Sequence, residues 1–236
     1  VHFDPPLIPG TLIARYRRFL ADVRLDGGEV VTAHCPNTGF MLGCQEPGMR
    51  VWLSRADDPR RKLRYTWELV AARPGVLVGI HTGRTNALVA EAIAAGAVAE
   101  LAGYSAIRRE VKFGRENSRI DLLLTADGRP DCYVEVKNVT AAVRDGIALF
   151  PDAVSARGAK HLRELMHVVE QGRRAVIFFC VQRGDVHEVQ PADEIDPRYG
   201  RTLREALAAG VTALAYRAVV EPGTVRLGDA VPVNCP

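Results

Sequence analysis

Two apolar runs flank a glycine turn in the middle of the chain. Ser118-Arg119-Ile120-Asp121-Leu122-Leu123-Leu124 is followed by Asp127-Gly128 and then by Cys132-Tyr133-Val134-Glu135-Val136-Lys137-Asn138. Apolar segments on either side of a glycine-containing loop predict a β-hairpin. With the loop centred on Gly128, Asp121 and Glu135 are equally far from the centre and face each other across the ladder. Opposed residues share a face, with Cβ atoms about 5 Å apart. Lys137 lies two residues beyond Glu135 and points to the same side. Ile120, Leu122, Leu124, Val134 and Val136 form the apolar back.

Upstream, residues 11–82 read as β-rich. Thr11–Val23 is one run, and Gly27-Gly28 turns it into Glu29–His34. Arg50–Ser54, Arg64–Val70 and Val76–Ile80 complete about five short strands. That pattern suggests a small OB-like barrel, and a half-open sandwich fits nearly as well. Trp52 and Trp67 sit in alternating strands and are assigned to the core.

Downstream, Asn86 to Ala95 is a helix with Leu88, Ala92 and Ala95 on one side. Ala106–Phe113 is a strand, the hairpin follows, and residues 141–150 read as a loop. From Ser155 to Gln171 the apolar residues Leu162, Leu165, Met166 and Val169 form a helical stripe. Arg157, Lys160, His161 and Glu164 form a polar stripe, the pattern of a solvated face. Ala175–Val181 is apolar throughout, a strand covered on both sides. A helix over Arg198–Ala209, closed by Gly210, leads to strands Val211–Val219 and Thr224–Leu227. The expected fold is mixed α/β, with a β domain at 1–83 and an α/β domain at 84–236.

Composition adds little to the fold and something to the chemistry. The 236 residues are 47% hydrophobic and 25% charged, as in soluble globular proteins. No apolar run is long enough for a membrane span, and Val1-His2-Phe3-Asp4 does not read as a signal peptide. Cys35, Cys44, Cys132, Cys180 and Cys235 are widely spaced with no C-x-x-C pair. The expectation is reduced thiols and a cytoplasmic location. Residues 1–83 carry 11 Lys and Arg against 8 Asp and Glu, and residues 84–236 carry 20 of each. The whole net charge of +3 therefore lies in the first third.

Two carboxylates held together repel unless a cation separates them. Mg²⁺ or Mn²⁺ suits oxygen ligands of this kind, and a lysine beside it can orient water or stabilise a phosphate. Asp121, Glu135 and Lys137 are therefore the candidate site. Glu91, on the preceding helix, is a candidate third carboxylate or a solvated helix residue. Asp131, in the string Pro130-Asp131, is assigned to the turn, because at ~3.3 Å per residue it stands roughly 13 Å from Glu135. His34 and Cys35 lack a third ligand and are not assigned to a metal. Arg15, Arg17 and Arg18 interleave with Tyr16 and Phe19, and Arg61 and Lys62 precede Tyr65. Cations attract phosphate and aromatics stack on unpaired bases. Alternation places Arg15 and Arg17 on one face and Arg18 on the other. Asn37, in His34-Cys35-Pro36-Asn37-Thr38-Gly39, is a candidate phosphate contact or a turn residue.

The order helix, three strands, helix, strand, with Asp on the second strand and Glu-x-Lys on the third, resembles the PD-(D/E)xK nuclease superfamily. Arg15–Val23, His34–Gly39, Ser118–Asp121, Tyr133–Lys137, Phe150–Val154, Arg157-Gly158 and Lys160–Leu162 together are similar to the sugar fermentation stimulation protein A (SfsA) family. The resemblance spans nearly the whole chain; Asn138 departs from it, where serine is expected. It implies an OB-like N-terminal domain, a nuclease-like C-terminal domain, DNA as partner and a link to regulation of sugar (maltose) use in bacteria. It places Asp121, Glu135 and Lys137 at a metal-dependent nuclease site, with Glu91 as the extra carboxylate. Two functions follow: a DNA-binding protein with a Mg²⁺- or Mn²⁺-dependent phosphodiesterase site, or a non-catalytic DNA-binding regulator on a nuclease fold. In either case the N-terminal domain is expected to hold DNA, with Arg157 and Lys160 as the further candidates.

Overall fold

The computed structural model describes residues 1–116, 118–142 and 146–236. In β1 (Ile8–Tyr16), β2 (Leu20–Leu25) and β3 (Val30–His34), Leu12, Ala21, Val23, Val31 and Ala33 point inward between polar neighbours. With β4 (Arg50–Arg55), β5 (Tyr65–Arg73) and β6 (Val76–Gly79) they form a sheet in the order β3-β2-β1-β4-β5-β6. Ala33 and His34 of β3 also pair in parallel with Tyr65 and Thr66 of β5. That contact closes five strands into an OB-like barrel and rules out the half-open sandwich. Leu12, Val23, Leu53 and Trp67 fill the interior, each contributing about 2–3 kcal/mol by burial.

The single run expected at Thr11–Val23 is two strands. The chain reverses at Arg17–Phe19, and both Arg17 (φ 50°) and Arg18 (φ 65°) are left-handed. Strand alternation therefore stops at Tyr16, and the expected sharing of a face by Arg15 and Arg17 is corrected: Arg17 and Arg18 are loop residues. Phe3 and Leu7 also leave the barrel. They pack in the core of the second unit, where His2 bridges to Thr224 and the Phe3 N–H donates to the Gly223 carbonyl at 3.0 Å.

The second unit begins with α1 (Thr85–Ala94). β7 (Ala106–Phe113), β8 (Ser118–Thr125), β9 (Cys132–Val139), β11 (Arg174–Val181), β13 (Thr212–Glu221) and β14 (Thr224–Ala230) form a six-stranded sheet in the order β14-β13-β11-β9-β8-β7. β11 runs parallel to both β9 and β13; the other pairs are antiparallel. α1 covers one face. α2 (Ala156–Glu170) and α3 (Pro197–Ala208) cover the other. That sandwiching is why Ala175–Val181 carries no polar side chain. Residues 147–150 correct the expected loop. Ile147–Phe150 is β10, paired in parallel with β12 (Glu188–Pro191). Four residues are too few to show a period, and 143–145 lie outside the described residues.

Several hydrogen bonds and an ion pair stitch the two units together. The Gly79 N–H donates to the Gln182 carbonyl at 2.9 Å, Arg73 pairs with Asp185, and the Met41 N–H donates to Asp152 Oδ2 at 2.9 Å. Gly39 leaves room for the last of these, because a Cβ there would push the Asp152 carboxylate aside.

Candidate metal and phosphate site

Leu122 pairs with Val134, Leu123 with Tyr133 and Leu124 with Cys132. This register is centred on Gly128 and brings Asp121 level with Glu135. The ladder stops at Leu122, and there the Asp121 side chain takes over. Its Oδ2 accepts the Val136 N–H at 2.7 Å, and its Oδ1 accepts from Asn86 Nδ2 on α1 at 2.8 Å.

The sheet also turns over at this point. Strict alternation would put Ile107, Val111 and Phe113 on one face. Instead Ile107 joins the α1 core, while Val111 and Phe113 join the α2–α3 core. Opposite them, Leu122 and Leu124 face α1 and Ile120 faces α2, so Ile120 does not share the back of the hairpin as expected. The pivot is Glu110, which stands across from Asp121 with φ 53°. A non-glycine residue held left-handed is uncommon and marks strain that the surrounding structure must support.

Glu135 is 2% exposed. Its Oε1 accepts from Lys137 Nζ at 2.7 Å and meets His161 Nδ1 of α2. Its Oε2 is buried and, among the described residues, has no hydrogen-bond partner. On the other ring nitrogen, His161 Nε2 accepts from Arg157 Nε at 3.3 Å. A guanidinium only donates, so Nε2 is unprotonated and Nδ1–H is the donor to Glu135. Burial raises the Asp121 carboxyl to about 6, with the Glu135 charge adding to it. Burial also opposes ionisation of Glu135, but Lys137 and the hydrogen bond from His161 outweigh it and hold that carboxyl below its ordinary value. One carboxylate is thus firmly ionised beside another that resists ionisation.

A cleft of about 510 Å³ opens between the far ends of β7–β8 and α2. Lys112, Arg119, Arg157 and Lys160 line it with Ser118, His161 and one acid, Glu110. His161 thus borders both the cleft and Glu135. Only part of the α2 stripe is solvated: Arg157 is exposed, but His161 and Glu164 are buried, His161 against Glu135 and Glu164 capping the turn after β7 by accepting the Arg115 N–H at 2.9 Å and the Glu116 N–H.

Other expected residues fall elsewhere. The Glu91 carboxylate is exposed and lies 3.3 Å from the Val1 amino group; on α1 it is Asn86, not Glu91, that bonds Asp121. Asp131 stays in the turn, its carbonyl accepting the Arg174 N–H at 3.0 Å. Asn37 is 5% exposed and its Oδ1 accepts the Gly39 N–H at 2.9 Å, the turn alternative. Arg15 points inward. It donates to Gln45 Oε1 at 2.7 Å and to the carbonyls of Arg18, Asn37 and Gly39 at 2.8, 2.9 and 2.9 Å. Arg17, Arg18, Arg61 and Lys62 are exposed on the barrel. Asn138 accepts the Thr85 hydroxyl at 2.8 Å and so ties α1 to β9. Asn86 and His161 were not singled out from the sequence as site residues. The hint for His161 was its place in a helical stripe with Arg157.

Fold and site together define a two-domain protein in which an OB-like barrel adjoins an α/β sheet domain carrying a buried glutamate level with a half-buried aspartate. The chain belongs to the sugar fermentation stimulation protein family. Residues 13–80 match the family's N-terminal OB domain and residues 83–224 its RE domain. A sugar fermentation stimulation protein homolog of Thioalkalivibrio sulfidiphilus is 61% identical over 234 residues, 99% of this chain and 98% of that one. One from Geobacter sulfurreducens is 64% identical over 228 residues, 97% and 96% of the two chains. A solved structure, Pyrococcus furiosus SfsA in complex with Ca²⁺, superposes with a TM-score of 0.89 at 28% identity, covering 99% of this chain and 98% of that one. Among the described residues no helix is long and apolar enough to cross a membrane.

Proposed function

We propose that this protein binds DNA and hydrolyses its phosphodiester bonds with a divalent cation held by Asp121 and Glu135. The observation that carries this reading is Glu135 Oε2, a buried carboxylate oxygen with no partner, level with a second carboxylate and beside a cationic cleft. Among the described residues no three His, Cys, Asp or Glu side chains form a metal-binding group. Two carboxylates suit Mg²⁺ or Mn²⁺, which fill their remaining positions with water and substrate phosphate. A Ca²⁺ complex of the Pyrococcus furiosus relative supports a hard cation in this family.

Glu135 Oε2 and the free lone pairs of Asp121 would hold the cation. When bound, it would lower the pKa of a water and offset charge on the phosphate. Lys137 and His161 occupy Oε1 of Glu135 and so aim Oε2. Lys137, bonded to Glu135 Oε1, would place its ammonium beside the cation site, where it could stabilise added negative charge on a phosphate and orient the water. Arg157, Lys160, Lys112 and Arg119 hold the phosphates that flank the scissile bond.

The test is titration calorimetry with Mn²⁺, followed by incubation with single-stranded and duplex DNA in Mn²⁺, for wild type, Glu135→Gln and Lys137→Met. Mn²⁺ binding lost in Glu135→Gln, and cleavage lost in both variants, is the expected result. DNA binding without Mn²⁺ heat or turnover would instead mark the protein as a non-catalytic DNA-binding regulator.

A further inference from the structure

Phe40, Phe19 and Tyr16 are 46%, 47% and 37% exposed; Tyr16 ends β1, Phe19 lies on the β1–β2 loop and Phe40 on the segment after β3. The Arg18 guanidinium lies 5.7 Å from the Phe40 ring centroid. Arg17 is exposed beside it. Leaving two phenylalanines in water forgoes burial that would stabilise the fold. Holding Arg17 and Arg18 left-handed costs backbone strain as well.

This patch is braced from below. The inward guanidinium of Arg15 ties the carbonyls of Arg18, Asn37 and Gly39 to one point. Gln45 extends the brace, accepting from Arg15 and donating to the Phe40 carbonyl at 2.7 Å. A rigid base carrying exposed rings and cations suits a flat, anionic partner. Duplex DNA offers phosphates but keeps its base faces stacked. Unpaired DNA offers both, and its bases can stack on exposed aromatic rings.

One hydrogen bond ties the patch to the segment that leads into the cleft. The same loop bonds Asp152 through the Met41 N–H, and Asp152 stands just before α2, whose first turns carry Arg157 and Lys160 into the cleft. We infer that the Phe40–Arg18 platform holds an unpaired segment of DNA that continues across the domain seam into the cationic cleft, which makes single-stranded or flapped DNA the substrate class. The inference rests on the proposed cleavage site only for the far end of this track.

The test is fluorescence anisotropy of the full chain with labelled oligo-dT and a blunt duplex of equal length, with Ca²⁺ replacing Mg²⁺. Wild type should bind oligo-dT more tightly than duplex. Phe40→Ala should weaken oligo-dT binding roughly tenfold and leave duplex binding within about twofold, and Phe40→Trp should restore it. Equal oligo-dT affinity for Phe40→Ala and wild type overturns the platform, while Glu135-dependent cleavage of the same DNA would leave the cleavage site standing. Absence of binding to either DNA by wild type overturns both readings.

Discussion

The Asp121 carboxylate accepts the Val136 N–H at 2.7 Å, one step past the last rung between β8 and β9. The side chain thus replaces a ladder bond, and it does so where burial and the Glu135 charge raise its carboxyl to about 6. In the metal-free protein the folded state therefore binds a proton near pH 5 that the unfolded state, at an ordinary 3.8, has released. Stability from this group is greatest below about pH 4 and falls as pH rises through about 6. A two-unit shift corresponds to about 3 kcal/mol. Asp121→Asn removes this titration. In urea melts with EDTA, the gap between variant and wild type should widen in the variant's favour from pH 4 to pH 7. Parallel stability curves would contradict this account of Asp121.

His161 acts on Glu135 through one nitrogen and takes a hydrogen bond from Arg157 through the other. The donor to Glu135 is what aims the partnerless oxygen. His161→Asn keeps an N–H near the Nδ1 position, whereas His161→Leu does not. Mn²⁺ affinity by calorimetry should fall about 10–100-fold in His161→Leu, the range for a residue that orients a metal ligand. It should fall much less in His161→Asn. Equal losses would show that the ring only packs against the site.

Legibility followed the range of the interactions. Period-two alternation and the glycine turn are local, so the hairpin register, which sets Asp121 level with Glu135, could be read from the chain. Closure of the barrel could not, since it depends on Ala33 meeting Tyr65 across a long connection. Helix periodicity defines faces but not which neighbour each face meets. Hence Glu91 was placed at the site where Asn86 stands, and the stripe of His161 and Glu164 read as solvated. Arginines at 15, 17 and 18 look alike in sequence; the left-handed loop that separates Arg15 from the other two appears only in the folded backbone.

Arg15 tests the difference between a brace and a contact. Its guanidinium makes four hydrogen bonds to Gln45 and three carbonyls, so Arg15→Ala leaves partly buried acceptors unpaired. The expected loss is about 1–3 kcal/mol in urea denaturation. DNA affinity should drop as the platform loosens, but the slope of log K against log salt should not change, because Arg15 releases no counterion from DNA. A slope lowered by about one would put Arg15 directly on a phosphate.

The same slope locates the phosphate track. The excess charge of the first 83 residues points to the barrel, yet Arg50 and Arg60 there are paired with Asp26 and Asp58, and Arg15 is turned inward. In the cleft, Arg157 bonds a histidine and Lys160 bonds the Glu116 carbonyl. Neither partner is an acid, so their charge remains available to an anion. Each phosphate contact on duplex DNA contributes about 0.9 to the slope. Arg157→Ala/Lys160→Ala should therefore lower it by about two on duplex DNA, in anisotropy titrations across a salt series. Arg17→Ala/Arg18→Ala should leave the duplex slope unchanged and reduce only that for oligo-dT. If instead the duplex slope falls with Arg17 and Arg18 and holds without Arg157 and Lys160, duplex is gripped by the barrel loop, and the cleft beside Glu135 is not where its backbone lies.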